Sequence, residues 1–130
     1  MADSFIPHVE VLGIGIDIIE VNRIKKFISK KKDFLERVFT KKELKYCLGK
    51  KNQYQRLAVR FAAKEAVWKS LSFKGLALKD IAIIKSAGGR PGIFCKDART
   101  KDIKFYLSLS HSDEYASAAA VAVKIINWPK

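Results

Sequence analysis

The stretch "VLGIGIDIIE" (residues 11–20) sets Ile14, Ile16 and Ile18 on one side of an extended chain and Gly13, Gly15 and Asp17 on the other. Alternation of this kind predicts a strand. A strand face carrying almost no side chains requires something to approach it closely. From Val21 the period changes: Val21, Ile24, Phe27 and Ile28 form a helical stripe, with Arg23, Lys25, Lys26 and Lys30 on the wet side. Further on, "TKKE" (40–43) is a capping box opening a short helix to about Leu48, and "GKKNQ" interrupts it.

A long helix is predicted over 53–72. Tyr54, Leu57, Ala58, Phe61, Ala62, Trp68 and Leu71 make its apolar stripe, with Glu65 near the middle and Lys64 and Lys69 at opposite edges. Residues 81–86 and 93–95 read as two strands around the turn "AGGRPG", and 103–110 and 115–126 as two more around "HSDE". The expected fold class is α+β, with an antiparallel sheet packed against one long helix and shorter helices. One domain spans 1–130, with 1–10 and 127–130 as loose ends.

The chain has 130 residues and is 48% hydrophobic, enough for a single core. Its formal charge of +13 favours an anionic partner such as nucleic acid, a phosphorylated metabolite, an acidic protein or an anionic membrane. Cys47 and Cys95 stand far apart without metal-ligand spacing, which argues against a zinc site or disulfide framework and suits a reducing cytoplasm. The apolar runs are too short to span a bilayer, and the N-terminal stretch has no basic export region.

Glu65 on a core-facing stripe needs a cation, a metal or strong hydrogen bonds. An ion pair with Lys69, four residues on, is a sufficient structural account. Asp17, on the glycine face, invites a different one. Two carboxylates with few protein neighbours are the usual protein share of a Mg²⁺ site completed by water and phosphate oxygens; capping of the following helix is the alternative for Asp17. "GIGID" is not a dinucleotide fingerprint, because Ile18 stands where the third glycine belongs, and no Walker sequence occurs. "SLSHS" (108–112) suits a phosphate or a plain turn equally well. The basic stretch 25–51 lies on predicted wet helix faces and carries no nucleic-acid-binding signature; a small basic nucleic-acid-binding protein is the alternative reading.

"GIGIDIIEVNRI", "RFAAKEAVWK", "GGRP" and "SLSHSDEYA", in that order and spacing, closely resemble the small-type 4'-phosphopantetheinyl transferases, the holo-acyl-carrier-protein synthases. The resemblance covers about residues 12–125. It implies the 4'-phosphopantetheinyl transferase fold and transfer of the phosphopantetheine arm of coenzyme A to a serine of apo acyl carrier protein, a step serving fatty acid biosynthesis. Adenosine 3',5'-bisphosphate would leave. It further implies Mg²⁺ held by Asp17 and Glu65, with Lys69 at the leaving phosphate and Glu65 accepting the serine proton directly or through a water. Arg60, Lys64, Arg90, Pro91 and His111 would bind coenzyme A, with Lys51 near its 3'-phosphate. Arg23 and Arg37 would dock the acidic carrier protein, and the partner set would include neither nucleic acid nor membrane. The implied assembly is a homotrimer with active sites at subunit interfaces. Two features depart from the pattern: about ten extra residues precede the first strand, and Asn52 stands where some relatives carry a base.

Overall fold

What approaches the bare strand face is the long helix. In a computed structural model describing residues 8–85 and 88–126, β1 (His8–Glu20) lies against α4 (Gln53–Ser70). The contact is so close that a Cβ at Gly13 would overlap the Ser70 carbonyl, and one at Gly15 the Ala66 carbonyl. Small residues meet from both sides. The face of β5 (Tyr115–Ile126) that meets α4 is built from Ala116, Ala118, Ala120 and Ala122, all buried, and α4 answers with Ala58, Ala62 and Ala66.

The main sheet is antiparallel with order β1-β5-β4, and β4 spans Ile103–His111. Its register runs from His8↔Ile126 to Glu20↔Tyr115 along β1, with one irregularity between Val11 and Gly13. β4 turns Phe105, Leu107 and Leu109 toward the core and leaves Lys104, Tyr106, Ser108 and Ser110 outside, as its alternation predicts. A separate two-stranded sheet joins β2 (Ile81–Lys85) to β3 (Pro91–Cys95).

α1 (Val21–Lys30) follows β1 without a loop, its first amide donating to the Glu114 carbonyl at 2.8 Å. A five-residue α2 (Phe34–Val38) comes next, then α3 (Lys41–Cys47). The expected capping box is present: Glu43 N–H donates to Thr40 Oγ1 at 3.2 Å, and Thr40 N–H to Glu43 Oε1 at 2.8 Å. Such caps contribute about 1 kcal/mol. Between these helices and α4 sits an aromatic cluster, in which Phe34 lies 5.3 Å from Phe27 and 5.9 Å from Phe61 between ring centroids.

Two expectations change. Residues 8–10, placed in a loose end, are paired in β1, because β5 runs on to Ile126 and offers them a ladder; residues 1–7 and 127–130 lie outside the described residues. On α4 the buried residues are Leu57, Ala58, Ala62, Ala63, Lys64, Ala66, Val67 and Ser70, while Trp68 is exposed. The helix packs against the sheet on one side and α1, α3 and β2 on others, so one stripe does not describe it. Trp68 instead donates its indole N–H to the Leu76 carbonyl at 2.9 Å. No helix among the described residues is long and apolar enough to cross a membrane.

Candidate active site

Beyond Gly15 the bare face of β1 ends in Asp17, which brings a carboxylate to the C-terminal half of α4. Lys69 reaches across from the helix, donating to Asp17 Oδ1 and to the Ile16 carbonyl, each at 3.1 Å. The Asp17 side chain is 16% exposed and that of Lys69 45%, so the pair sits at the edge of the β1–α4 seam, with its cation toward solvent. Asp17 stays within the strand rather than capping α1: the Glu20 cap position makes no side-chain cap bond, and Asp17 is committed to Lys69.

Glu65 lies half-buried one helical turn before Lys69. Burial raises its carboxyl pKa above the ordinary 4.5, the nearby charge of Asp17 raises it further, and Lys69 offsets part of this. Lys69 therefore serves the strand acid, and the Glu65–Lys69 pair that helical spacing suggests is not among the ion pairs of the described residues. Two repelling carboxylates, one of them partly desolvated, form a place that a further cation would stabilise. Among the described residues no three His, Cys, Asp or Glu side chains cluster. A metal here would thus take two carboxylate oxygens from this chain and the rest of its shell from elsewhere, a donor set that fits Mg²⁺.

Lys64, expected at coenzyme A, is turned to the interior of this chain. Its side chain is fully buried, with Nζ 2.6 Å from Glu43 Oε1. It also donates to the Val38 carbonyl at 2.8 Å and the Leu78 carbonyl at 3.3 Å. Glu43 in turn accepts from Ile83 N–H at 2.9 Å. One ion pair thereby ties α4, α3, β2, the end of α2 and the segment before β2. Burial pulls the Lys64 pKa down, and Glu43 opposes this. The buried charge of this helix is Lys64, one residue before the acid that the sequence pattern singles out.

Arg60, one turn earlier, opens into a cleft of about 310 Å³ lined by Lys42, Tyr46, Ile84 and Lys85 among others. Its guanidinium lies 4.3 Å from the Tyr46 ring centroid. A second cleft, of about 470 Å³, gathers Lys51, Lys25, Tyr54 and Asp113. His111 ends β4 opposite Ala116, which pairs with Ile19, so two strand spacings, about 10 Å, separate it from β1. Arg90 and Pro91 stand at the β2–β3 turn, where Gly88 and Gly89 adopt positive φ (87° and 81°). Arg23 and Arg37 are exposed on α1 and α2, the latter 4.0 Å from Asp33. The hydroxyls of "SLSHS" do not converge: Ser108 and Ser110 face outward, and Ser112 accepts from the Glu114 and Tyr115 amides. Within one chain Asp17, Glu65 and Lys69 meet, whereas Lys51 and His111 occupy other regions.

Sequence reading overlooked Tyr46 and its surroundings. Lys50, Arg56 and Lys85 lie 4.0, 5.2 and 5.2 Å from its ring centroid, and Arg56 Nε also donates to Asn52 Oδ1 at 2.7 Å. The i, i+4 spacing of Arg56 and Arg60 was the available signal; Lys85 comes from a distant strand.

Residues 13–122 match the model of the 4'-phosphopantetheinyl transferase superfamily. The chain is 40% identical over 119 residues to a holo-[acyl-carrier-protein] synthase of Clostridium tetani, covering 85% of this chain and 94% of the relative. With the corresponding synthase of Chlamydia caviae it shares 44% over 117 residues, covering 85% and 95%. Among solved structures, the Bacillus anthracis synthase in complex with CoA (3',5'-ADP) superimposes with a TM-score of 0.75 at 36% identity, covering 88% of this chain and 97% of that one. The Helicobacter pylori synthase in complex with coenzyme A gives 0.73 at 34%, covering 84% and 98%.

Proposed function

This chain belongs to the 4'-phosphopantetheinyl transferase superfamily, and we propose that it transfers phosphopantetheine in a Mg²⁺-dependent reaction centred on Asp17 and Glu65, releasing adenosine 3',5'-bisphosphate. It is an enzyme of the holo-acyl-carrier-protein synthase type, with coenzyme A as donor and acyl carrier protein as acceptor. The carrying observation is that a chain matching this superfamily brings Asp17, Glu65 and Lys69 together where β1 meets α4.

Asp17 and Glu65 would hold the ion. When bound, Mg²⁺ supplies charge neutralisation at the diphosphate of coenzyme A. Glu65, directly or through a water, is placed to accept the serine proton as the hydroxyl attacks the β-phosphorus. Lys69, one turn along the helix and already beside Asp17, is placed to offset charge on the departing adenosine bisphosphate. Arg60 would bind the donor from its cleft, and Arg90, Pro91, His111 and Lys51 would add contacts from the β2–β3 turn, the end of β4 and the neighbouring cleft.

A homotrimer with shared sites accounts for the separation of these groups. It is supported by the outer face of the main sheet, where Ile14, Ile16 and Ile18 are 69%, 69% and 67% exposed beside Tyr106 at 54%. An apolar face of this extent is uncommon on a monomer. Ile16→Glu is expected to convert the assembly to monomer in analytical ultracentrifugation; an unchanged sedimentation coefficient refutes that use of the face.

The deciding experiment incubates the protein with coenzyme A, Mg²⁺ and apo carrier protein and weighs the carrier. A gain of the phosphopantetheine mass that stops with chelator is expected; absence of gain across several competent carriers counts against the reading. In the same assay Arg23→Glu should raise KM for the acidic carrier about tenfold, an effect that shrinks with added salt.

A further inference from the structure

Among the described residues, five positive side chains collect in one place without a free acid to hold them. Around Tyr46 on α3 stand Lys42 from the same helix, Lys50 from the connection, Arg56 and Arg60 from α4, and Lys85 from β2. Glu43 also borders the cleft, but its oxygens are taken by Lys64, the Thr40 amide and the Ile83 amide. Mutual repulsion would drive such cations apart into water. The π face of Tyr46 attracts four of them instead, Lys50, Arg56, Arg60 and Lys85, by about 0.5–1 kcal/mol where exposed and more where desolvated. Arg60 shows the effect most clearly. Its ring contact is close, at 4.3 Å, its Nη1 makes a long bond of 3.4 Å to the Arg56 carbonyl, and its Nε is buried with no hydrogen-bond partner. The guanidinium is thus held by the ring and by one long backbone bond.

We infer that Tyr46 is a positioning residue: its ring gathers Arg60, Arg56, Lys50 and Lys85 into one cationic face that receives a phosphate-bearing end of the donor substrate. This rests on the reading above that the donor is coenzyme A and that Arg60 binds it. The ring is the shelf, while the hydroxyl does something else. Lys85 and Arg56 beside it draw the phenol pKa down from 10 to about 8. Once ionised, the phenolate competes with the substrate for these same cations, so donor binding should weaken as pH rises through that value.

The test is steady-state transfer by the full-length protein, varying coenzyme A. Tyr46→Leu, which removes ring and hydroxyl, should raise KM for coenzyme A about 3- to 10-fold with kcat within about twofold. Tyr46→Phe, which keeps the ring, should match wild type at pH 7 and lack the rise in KM that wild type shows between about pH 7 and pH 9. A Leu variant with wild-type KM, a Phe variant as impaired as the Leu variant, or a loss confined to kcat overturns the inference. If the Leu variant does not fold, the Phe pH profile decides, and parallel profiles overturn it. Wild-type protein that binds and transfers nothing from coenzyme A refutes the functional reading itself; wild-type activity with an indifferent Tyr46 refutes only the shelf.

Discussion

Glu65→Gln should lower phosphopantetheine transfer by about 10²–10⁴-fold, the usual worth of a general base, and should leave a protein that is more stable than wild type when no divalent ion is present. The two effects have one cause. The wild-type carboxylate is desolvated and faces Asp17, so its folded pKa lies above 4.5. Between the unfolded and the folded pKa the native state holds the extra proton, and stability is lost as pH rises through that window. Glutamine removes the titration. The gain in thermal midpoint of the variant over wild type should therefore be larger at pH 7 than at pH 4. Added Mg²⁺ should raise the wild-type midpoint and not that of the variant, because a ligand stabilises only the fold that binds it. Equal responses to Mg²⁺, or undiminished transfer, would remove Glu65 from the site. Transfer by wild type should itself fall on the acid side as Glu65 takes up its proton.

Lys64→Met should cost about 3–5 kcal/mol of stability, because it leaves the Glu43 carboxylate buried without its cation. The measurement is urea denaturation of the single variant and of Lys64→Met with Glu43→Gln. The double variant should recover part of the loss, since the uncompensated charge has gone, although the Thr40 and Ile83 amides keep a weaker acceptor. Below its unfolding range the single variant should keep KM for coenzyme A within about twofold of wild type, as an interior ammonium makes no contribution to donor binding. A large rise in KM without loss of stability would restore Lys64 to the binding set.

Local pattern made much of this molecule readable in advance. The alternation in β1 and β4, the Thr40–Glu43 box and the glycines facing a close neighbour each depend on residues a few positions apart. Reading failed where neighbours come from afar. His8 is strand because of Ile126, and Tyr46 is surrounded because α4 and β2 bring their cations to it. The helical wheel of α4 assumed one wet side, so the half-buried Glu65 took the place that belongs to Lys64. α2 has too few residues for any period to declare itself. The acids themselves, Asp17 and Glu65, stood out because carboxylates on apolar faces demand a reason, and the fold brings them near one another.

At Gly13 and Gly15 the helix rests on peptide groups instead of side-chain tips. Backbone against backbone is a hard stop with no rotamers to adjust, so the spacing of strand and helix is insulated from how the remaining interior is filled. Swapping one aliphatic group for another on the far side of α4 can loosen or tighten that region without resetting the gap across which Asp17 and Glu65 sense each other. A single methyl at residue 15 would act as a wedge at a seam where the facing backbone cannot yield.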